Sequence, residues 1–371
     1  MSNKKEFRQC TRCIMDTTDP DIVFDSKGVC NHCYKFDEIQ KTRMFDSDEQ
    51  RDQQKEVLLE KIKAGGKGKP YDCIIGVSGG VDSTYVAYLV KEVFGLRPLA
   101  VHFDNGWNSE LAVKNIENIL EKMDIDLFTY VVNWEEFKDL QLSFLKASTP
   151  DGEVPTDHAI IAVLYNLAVK HGIKYILNGV NYASEAIMPL KWGYGYYDSK
   201  YIGAVQKEFG TKKLKSYPRL NLAKLGYYSK VKKIQFVPIL NYVDYFKEDA
   251  MNLIQNKLGW KYYGGKHYES IYTRFFQSYI LPQKFEIDKR KAHFSNLVLS
   301  GQITKSEALE ELKKPVYPAD LMKDDKEYAI KKFNISAEEF ERIMELPTKT
   351  FQEYPNNFDT LEKIKKIIKR S

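Results

Sequence analysis

The chain has 371 residues, 43% hydrophobic and 29% charged. That composition excludes a disordered chain, a collagen and a disulfide miniprotein, and the length suggests roughly two domains. The net charge of +5 is too weak by itself to argue for nucleic-acid binding, though it suits an enzyme of anionic substrates. No apolar run approaches the roughly 18 residues of a membrane span. The opening MSNKKEFRQC lacks the apolar stretch of a secretory signal, so the expected location is cytoplasmic.

The first element in chain order is a cysteine module. Cys10, Cys13, Cys30 and Cys33 form Cys-x2-Cys-x16-Cys-x2-Cys, a spacing that suits a four-thiolate zinc site. A redox pair and an iron centre are the alternatives, and His32 is a competing ligand inside the second pair. Four protein thiolates leave no open position, so the expected zinc is structural. The polar, turn-rich text between the pairs predicts a zinc ribbon over residues 1–45.

A charged helix is expected over 46–64, ended by Gly65, Gly66 and Gly68. Short apolar strands are then expected at 72–77, 98–103, 127–132, 174–179 and 234–239. Helical spacing falls between them at 82–94, 109–123, 134–147 and 156–171. This alternation predicts an α/β fold: a parallel five-stranded sheet with helices on both faces, occupying 46–243. Ligands of such sheets sit at the carboxyl ends of the strands. From 244 to 371 the text predicts a helical C-terminal region, with helices at 244–258, 268–280, 288–300, 304–314, 324–333, 336–345 and 358–370. The closing KIKKIIKR is basic and amphipathic, as a solvated helix end would be.

The first strand runs directly into Ser78-Gly79-Gly80-Val81-Asp82-Ser83 and then a helix. Two glycines permit a sharp turn with converging N–H groups, and the helix start adds free donors and partial positive charge. Ser78 and Ser83 offer hydroxyls to phosphate. Bare phosphate would repel Asp82, which suits it to holding Mg²⁺ or capping the helix. The loop lacks the lysine of Gly-x-x-x-x-Gly-Lys-[Ser/Thr]. It resembles the PP-loop of the ATP pyrophosphatases, which implies cleavage of ATP between its α- and β-phosphates and transfer of AMP to a substrate oxygen. That resemblance makes Ser78, Gly79, Gly80, Val81, Asp82 and Ser83 the ATP-binding loop, with Asp82 and Ser78 catalytic.

The other strand ends supply further candidates. Asp104, in His102-Phe103-Asp104-Asn105-Gly106, is an adenosine or magnesium ligand, or else an Asp-Asn-Gly turn residue. Asn178 and Gly179 sit where backbone must approach the nucleotide. Glu185 follows as a metal ligand or base, or as a surface glutamate. Thr156 and Asp157 open a helix near the same strand ends and suit either substrate contact or capping. His158 beside them reads as structural.

Sulfur-transferring PP-loop enzymes need catalytic cysteines. Residues 74–371 contain none, and Cys73 lies within the first strand, where a thiol is usually filler. Ammonia insertion remains. No cysteine has the setting of a glutaminase nucleophile, so ammonia is expected from a separate subunit.

The four-cysteine start, GVSGGVDSTYVAYLV, VHFDNGWNSE, PTDHAI, TRFFQSYILP and IDKRKAHFSNLVLSGQIT together resemble the bacterial N-acetyl sugar amidotransferases of lipopolysaccharide O-antigen and pseudaminic-acid-type glycan synthesis. The resemblance covers nearly the whole chain. It implies conversion of a sugar acetamido group to acetamidino through an adenylylated amide oxygen, with ATP, Mg²⁺ and structural Zn²⁺. It also implies ammonia from partners resembling the glutaminase and cyclase subunits of imidazole-glycerol-phosphate synthase. On the substrate side, Arg274, Lys289, Arg290, Lys291 and His293 are the candidate cations for a nucleotide-linked or acidic sugar, or else a solvated helix face. Aromatics and Asp198 in the run 191–203 suit sugar stacking and hydroxyl contacts, or a packed loop. The alternatives are a PP-loop tRNA-modifying enzyme and a zinc-ribbon nucleic-acid binder with a degenerate ATP site.

Overall fold

A computed structural model of the chain describes residues 6–265 and 268–368. Five strands, β1 (Cys73–Gly76), β2 (Pro98–Asp104), β3 (Leu127–Val131), β4 (Tyr175–Asn178) and β5 (Gln235–Pro238), form one sheet in the order β3-β2-β1-β4-β5. Every pairing is parallel. Each expected strand is present, trimmed by a residue or two except β2, which runs on through Asp104.

The pleat explains why the strands read as unbroken apolar runs. Ile74, Leu99, Val101, Phe103 and Ile176 join one apolar cluster, and their neighbours Cys73, Ile75, Ala100 and Leu177 join the other. Successive side chains point to opposite faces, and both faces are covered. One face carries helices Trp134–Ala147 and Val154–Lys170. The other carries Asp48–Gly66, Val81–Tyr88, Glu110–Lys122 and Lys247–Leu258. The chain leaves β1 toward β2 and β3 on one side, then returns to β4 and β5 on the other. The β1/β4 boundary is therefore the topological switch point, where ligands of open α/β sheets bind.

Local chemistry sets the helix starts. Ser47, Ser109 and Asn133 each accept a backbone N–H from the first turn of the helix they precede, which satisfies an orphan donor. Helix Ile271–Phe275 continues through a wider π turn at Phe276–Ile280 into Leu281–Phe285. The last helix is Phe358–Ile368; positions 369 and 370 of the expected helix lie outside the described residues.

Several elements differ from expectation. Helix Asp48–Gly66 runs through Gly65 and Gly66, which were expected to end it, and helix Ala319–Phe333 starts five residues before its expected bound. The cysteine module is not only ribbon: antiparallel bridges join Gln9 to Asp16 and Phe24 to Cys30, and helix Asn31–Arg43 starts directly after Cys30. The run 191–203 is not only loop, because Asp198 caps helix Ser199–Phe209.

The two ends of the chain meet. Lys291 Nζ pairs with Asp16 at 2.6 Å, Lys305 Nζ donates to the Cys10 carbonyl at 2.6 Å, and the buried Ser295 Oγ accepts the Ile14 N–H at 3.3 Å. The C-terminal helices also grip the end of β2. Trp107 is fully buried against Trp134, Tyr272 and Phe333. Its indole N–H donates to Gln141 Oε1 at 2.6 Å, and its carbonyl accepts the Ile271 N–H at 2.8 Å. Trp107→Ala is expected to cost about 3–5 kcal/mol of stability, read as a lowered midpoint in urea denaturation.

Candidate active site

Gly79 turns the chain out of β1 with φ +80°, and a Cβ there would stand 2.7 Å from the Ala112 carbonyl oxygen. Only glycine combines that backbone with that approach. The Gly79 carbonyl accepts the Trp260 indole N–H at 2.8 Å, so the turn is clamped from both sides. Ser78 is exposed. Its N–H donates to Ser83 Oγ at 3.2 Å, and its hydroxyl accepts the Gly80 N–H at 3.3 Å. Helix Val81–Tyr88 begins at once, with no side-chain cap. The Val81 N–H donates to the Tyr263 hydroxyl, and the N–H groups that follow it at a helix start make the arrangement that receives phosphate.

Asp82 is held at the switch point. A Cβ on Gly179, just past β4, would lie 3.1 Å from the Asp82 Cβ. Tyr245 donates its hydroxyl to Asp82 Oδ1. Burial first, then the Asp82 charge, push the Tyr245 phenol well above its ordinary range, so Tyr245 stays a donor. The Glu185 charge pushes it the same way, which places Glu185 on the Asp82 side of the cleft. Tyr263 is raised by burial, then by Glu269 and Asp82.

At the end of β2, Asp104 Oδ1 accepts the Gly106 N–H at 2.9 Å and the Asn108 amide at 3.1 Å. Asp104 thus holds its own turn, and its Oδ2 makes no hydrogen bond among the described residues. His102 donates from Nδ1 to the Val77 carbonyl at 3.0 Å and accepts from Asn108 at Nε2. At the end of β4, Asn178 Oδ1 accepts the Val180 N–H at 2.9 Å. The amide nitrogens of Asn178 and of buried Asn241 are enclosed without a partner. Two unmatched donors beside a phosphate-type loop suit an acceptor-rich nucleotide. Asp82 and Glu185 suit a hard divalent cation such as Mg²⁺.

Across the sheet, Glu153 and Asp157 lie one turn apart at the start of helix Val154–Lys170. Lys289 Nζ and Gln277 Nε2 both donate to Glu153 Oε2, at 2.9 and 2.8 Å. Thr156 Oγ1 accepts the Asn105 amide at 3.2 Å, tying this helix to the β2 end. His158 is locked between the Tyr196 carbonyl and the Leu220 N–H.

The remaining sugar-side candidates are not gathered here. Asp198 is fully buried and accepts five hydrogen bonds, from the Lys200, Tyr201 and Asn357 N–H groups, the Asn357 amide and the Tyr194 hydroxyl. Its lone pairs are taken by packing, so it has none left for a sugar. Arg274 forms a two-pronged pair with Asp325, Arg290 folds onto Asp288, and Lys291 holds the cysteine module. His293 lies half-buried beside Phe294. Of these cations, Lys289 alone meets the helix that opens at the strand ends. Sequence reading passed over Tyr245, Trp260, Tyr263 and Glu269. A run of aromatics after residue 244 was their only signal, and nothing in it specifies a partner more than 160 residues upstream.

The cysteines converge as a tetrad, with neighbouring sulfurs 3.6–3.7 Å apart and all four within 4.8 Å. Tetrahedral Zn–S bonds of ~2.3 Å require sulfur separations of ~3.8 Å, so the donor set fits zinc. Four sulfurs gathered within 4.8 Å of one another do not suit a redox pair. The N–H groups of Arg12, Cys13 and Cys30 point at Cys10 Sγ, and the other three thiols, Cys13 first, hold Cys10 far below the ordinary thiol range. His32 is turned to Asp19 at 2.6 Å and is not part of the group.

Two families match this chain. The one described as NAD synthase matches residues 53–217, and the one described as LPS biosynthesis protein WbpG-like, C-terminal domain, matches residues 269–366. The chain thus joins a PP-loop ATP pyrophosphatase-like domain of NAD synthase fold to a WbpG-like C-terminal domain. An uncharacterized protein of Methanocaldococcus jannaschii is 24% identical over 322 residues, 85% of this chain and 97% of its own. The glutamine-hydrolyzing GMP synthase of Pyrobaculum aerophilum is 32% identical over 131 residues, 34% of this chain and 24% of its own. This chain therefore spans about a quarter of that enzyme. The solved NH3-dependent NAD synthetase of Campylobacter jejuni is 14% identical, with a TM-score of 0.29 over 56% of this chain and 93% of its own. No helix among the described residues is long and apolar enough to cross a membrane.

Two predictions follow from the geometry. Cys30→Ser should lose the roughly one zinc per chain expected of a four-thiolate site, read by elemental analysis; full retention would reject this ligand set. The second concerns pH. Burial, then Glu153, hold the Asp157 carboxyl up at about 7 against the pull of Lys289. Between about 4, the ordinary carboxylate value, and about 7 the folded state binds more protons than the unfolded one, so stability falls as pH rises through that window. Asp157→Asn should flatten that fall in melting temperature.

Proposed function

We propose that this chain is an ATP-dependent amidotransferase that converts a sugar acetamido group to an acetamidino group, with ammonia supplied by separate glutaminase and cyclase-like subunits. The observation that carries the reading is a complete PP-loop site in a chain with no thiol free to carry sulfur. Four cysteines are locked in the tetrad, and Cys73 is sealed in β1, where burial pushes its thiol far up. A thiol so held is neither a persulfide carrier nor a glutaminase nucleophile. The similarity to a WbpG-like C-terminal domain supports a surface-polysaccharide substrate. The partial similarity to a glutamine-hydrolyzing GMP synthase supports nitrogen as the incoming atom.

In this mechanism the loop and the first turn of helix Val81–Tyr88 bind the ATP phosphates. Asp82 and Glu185 would hold magnesium, which neutralises phosphate charge. Trp260 and Ala112 keep the loop from collapsing, and the Asn178 and Asn241 amides meet the nucleoside. Gly179 lets β4 close against Asp82. The acetamido oxygen attacks the α-phosphorus, pyrophosphate leaves, and ammonia displaces AMP from the activated carbon. Pre-positioning the reactants on one rigid sheet end supplies much of the rate.

With ATP, Mg²⁺, an acetamido sugar and high ammonium, the chain alone should release pyrophosphate and AMP. Its product should be about 1 Da lighter and carry a new guanidinium-like cation. Asp82→Asn should abolish pyrophosphate release while circular dichroism is unchanged. Orthophosphate as the product would contradict the PP-loop reading. A product heavier by about 16 Da, sulfur in place of oxygen, would contradict the choice of nitrogen.

A further inference from the structure

We propose that Asp157 is the base that takes the proton from the incoming ammonium ion, in a recess built jointly by the nucleotide-binding sheet and the C-terminal helices. This rests on the amidotransferase reading above and adds a catalytic group to it.

The geometry has three parts. First, Glu153 and Asp157 are one helical turn apart on one face, and the Asp157 N–H donates to the Glu153 carbonyl at 3.1 Å. Second, the two carboxylates are treated unequally. Lys289 and Gln277, both from the C-terminal region, converge on Glu153 Oε2, whereas Asp157 receives no hydrogen bond among the described residues. One carboxylate is thus spent on assembling the recess, and the other remains half-buried and available. Third, Thr156 is bonded to Asn105, which follows Asp104 at the end of β2. The first turn of this helix, Asp157 included, therefore lies at the level of the strand ends where the activated carbon would lie, on the sheet face opposite the helix that follows the PP-loop.

The charged and titratable groups around this recess are Glu153 on the same helix, Asp151 just before it, Lys289 from helix Lys289–Leu299, Tyr196 from the loop before Asp198, and Tyr217 with Arg219 from the segment that leads to β5. Both tyrosines are raised, chiefly by burial and then by Asp157, so they stay neutral. Burial, then Glu153, bring Asp157 to about 7, near the operating pH at which a general base is most effective.

The step balances as follows. Ammonium gives one proton to the Asp157 carboxylate, leaving neutral ammonia and a carboxylic acid. The ammonia lone pair forms the C–N bond at the activated carbon. The C–O bond to AMP breaks with its electron pair, so the former amide oxygen leaves on AMP. The new nitrogen loses one further proton to solvent and keeps two in the amidinium product, and Asp157 returns its proton to solvent.

The test separates this role from the reading beneath it. In wild type at fixed total ammonium, log rate against pH should show an acid limb set by Asp157. In Asp157→Asn, sugar-dependent exchange of pyrophosphate into ATP should persist. Amidine formation should fall roughly 10²-fold or more at neutral pH and recover tenfold per pH unit as free ammonia replaces ammonium. Lys289→Met, which removes the cation that opposes proton uptake, should move the acid limb to higher pH with the fold retained. An Asp157→Asn variant equally slow in both half-reactions at every pH, or as fast as wild type, would overturn the proposal. Wild-type protein that forms no amidine from any acetamido sugar would instead overturn the amidotransferase reading.

Discussion

The contact on which the site depends is the one between Gly179 and Asp82. β1 and β4 are neighbours in the sheet although nearly a hundred residues of chain separate them. Their parallel register, Ile74 opposite Ile176 and Ile75 opposite Leu177, brings the two strand ends level. A helix start on one strand and a glycine on the other then leave an aspartate at the bottom of the crevice. A methyl group at Gly179 would press on Asp82 at 3.1 Å, and interiors this dense transmit such a displacement rather than absorb it. The Tyr245 hydroxyl and the Trp260 indole fix the same crevice from the other side.

The appended regions also reach the sheet ends. The C-terminal helices cover the end of β2 through Trp107, supply Lys289 and Gln277 to Glu153, and hold the cysteine module through Lys291, Ser295 and Lys305. Zinc held by the tetrad would act at a distance, by stiffening a knuckle whose Asp16 and Ile14 N–H anchor helix Lys289–Leu299, the helix that carries Lys289, and whose Cys10 and Thr11 carbonyls hold Lys305 of the next helix. A small module of this size has too little core of its own, and here it shares an apolar cluster with the sheet.

How much of this the amino-acid text reveals depends on the range of the interaction. The central strands β1, β2 and β4 were legible because burial on both faces leaves short apolar runs bounded by turns, and the more exposed edge strands β3 and β5 because their β-branched and aromatic residues follow the same spacing. The loop Ser78–Ser83 was legible because its hydrogen bonds are local. The cysteine tetrad was legible because a metal imposes a spacing. Side-chain roles set by distant partners were not. Asp198, read as a sugar contact, is a helix cap shared with Asn357. Arg274, Arg290 and Lys291, read as one cationic cluster, are each neutralised by a different carboxylate. Periodicity places a residue on a helix face and says nothing of the chain that will pack there. Helix Asn31–Arg43 escaped for a related reason: its start coincides with the second cysteine pair, where the metal pattern masked the helical one.

The central claim is that the acetamido oxygen is activated by attack on the α-phosphorus and leaves with AMP. An acetamido sugar carrying heavy oxygen in its acetyl carbonyl tests it most directly, in a single turnover with ATP, Mg²⁺ and ammonium followed by mass spectrometry of every phosphate product. The account predicts the whole label in AMP, with pyrophosphate and water unlabelled. Label in orthophosphate or pyrophosphate, or label retained in the sugar while ATP is consumed, would contradict it.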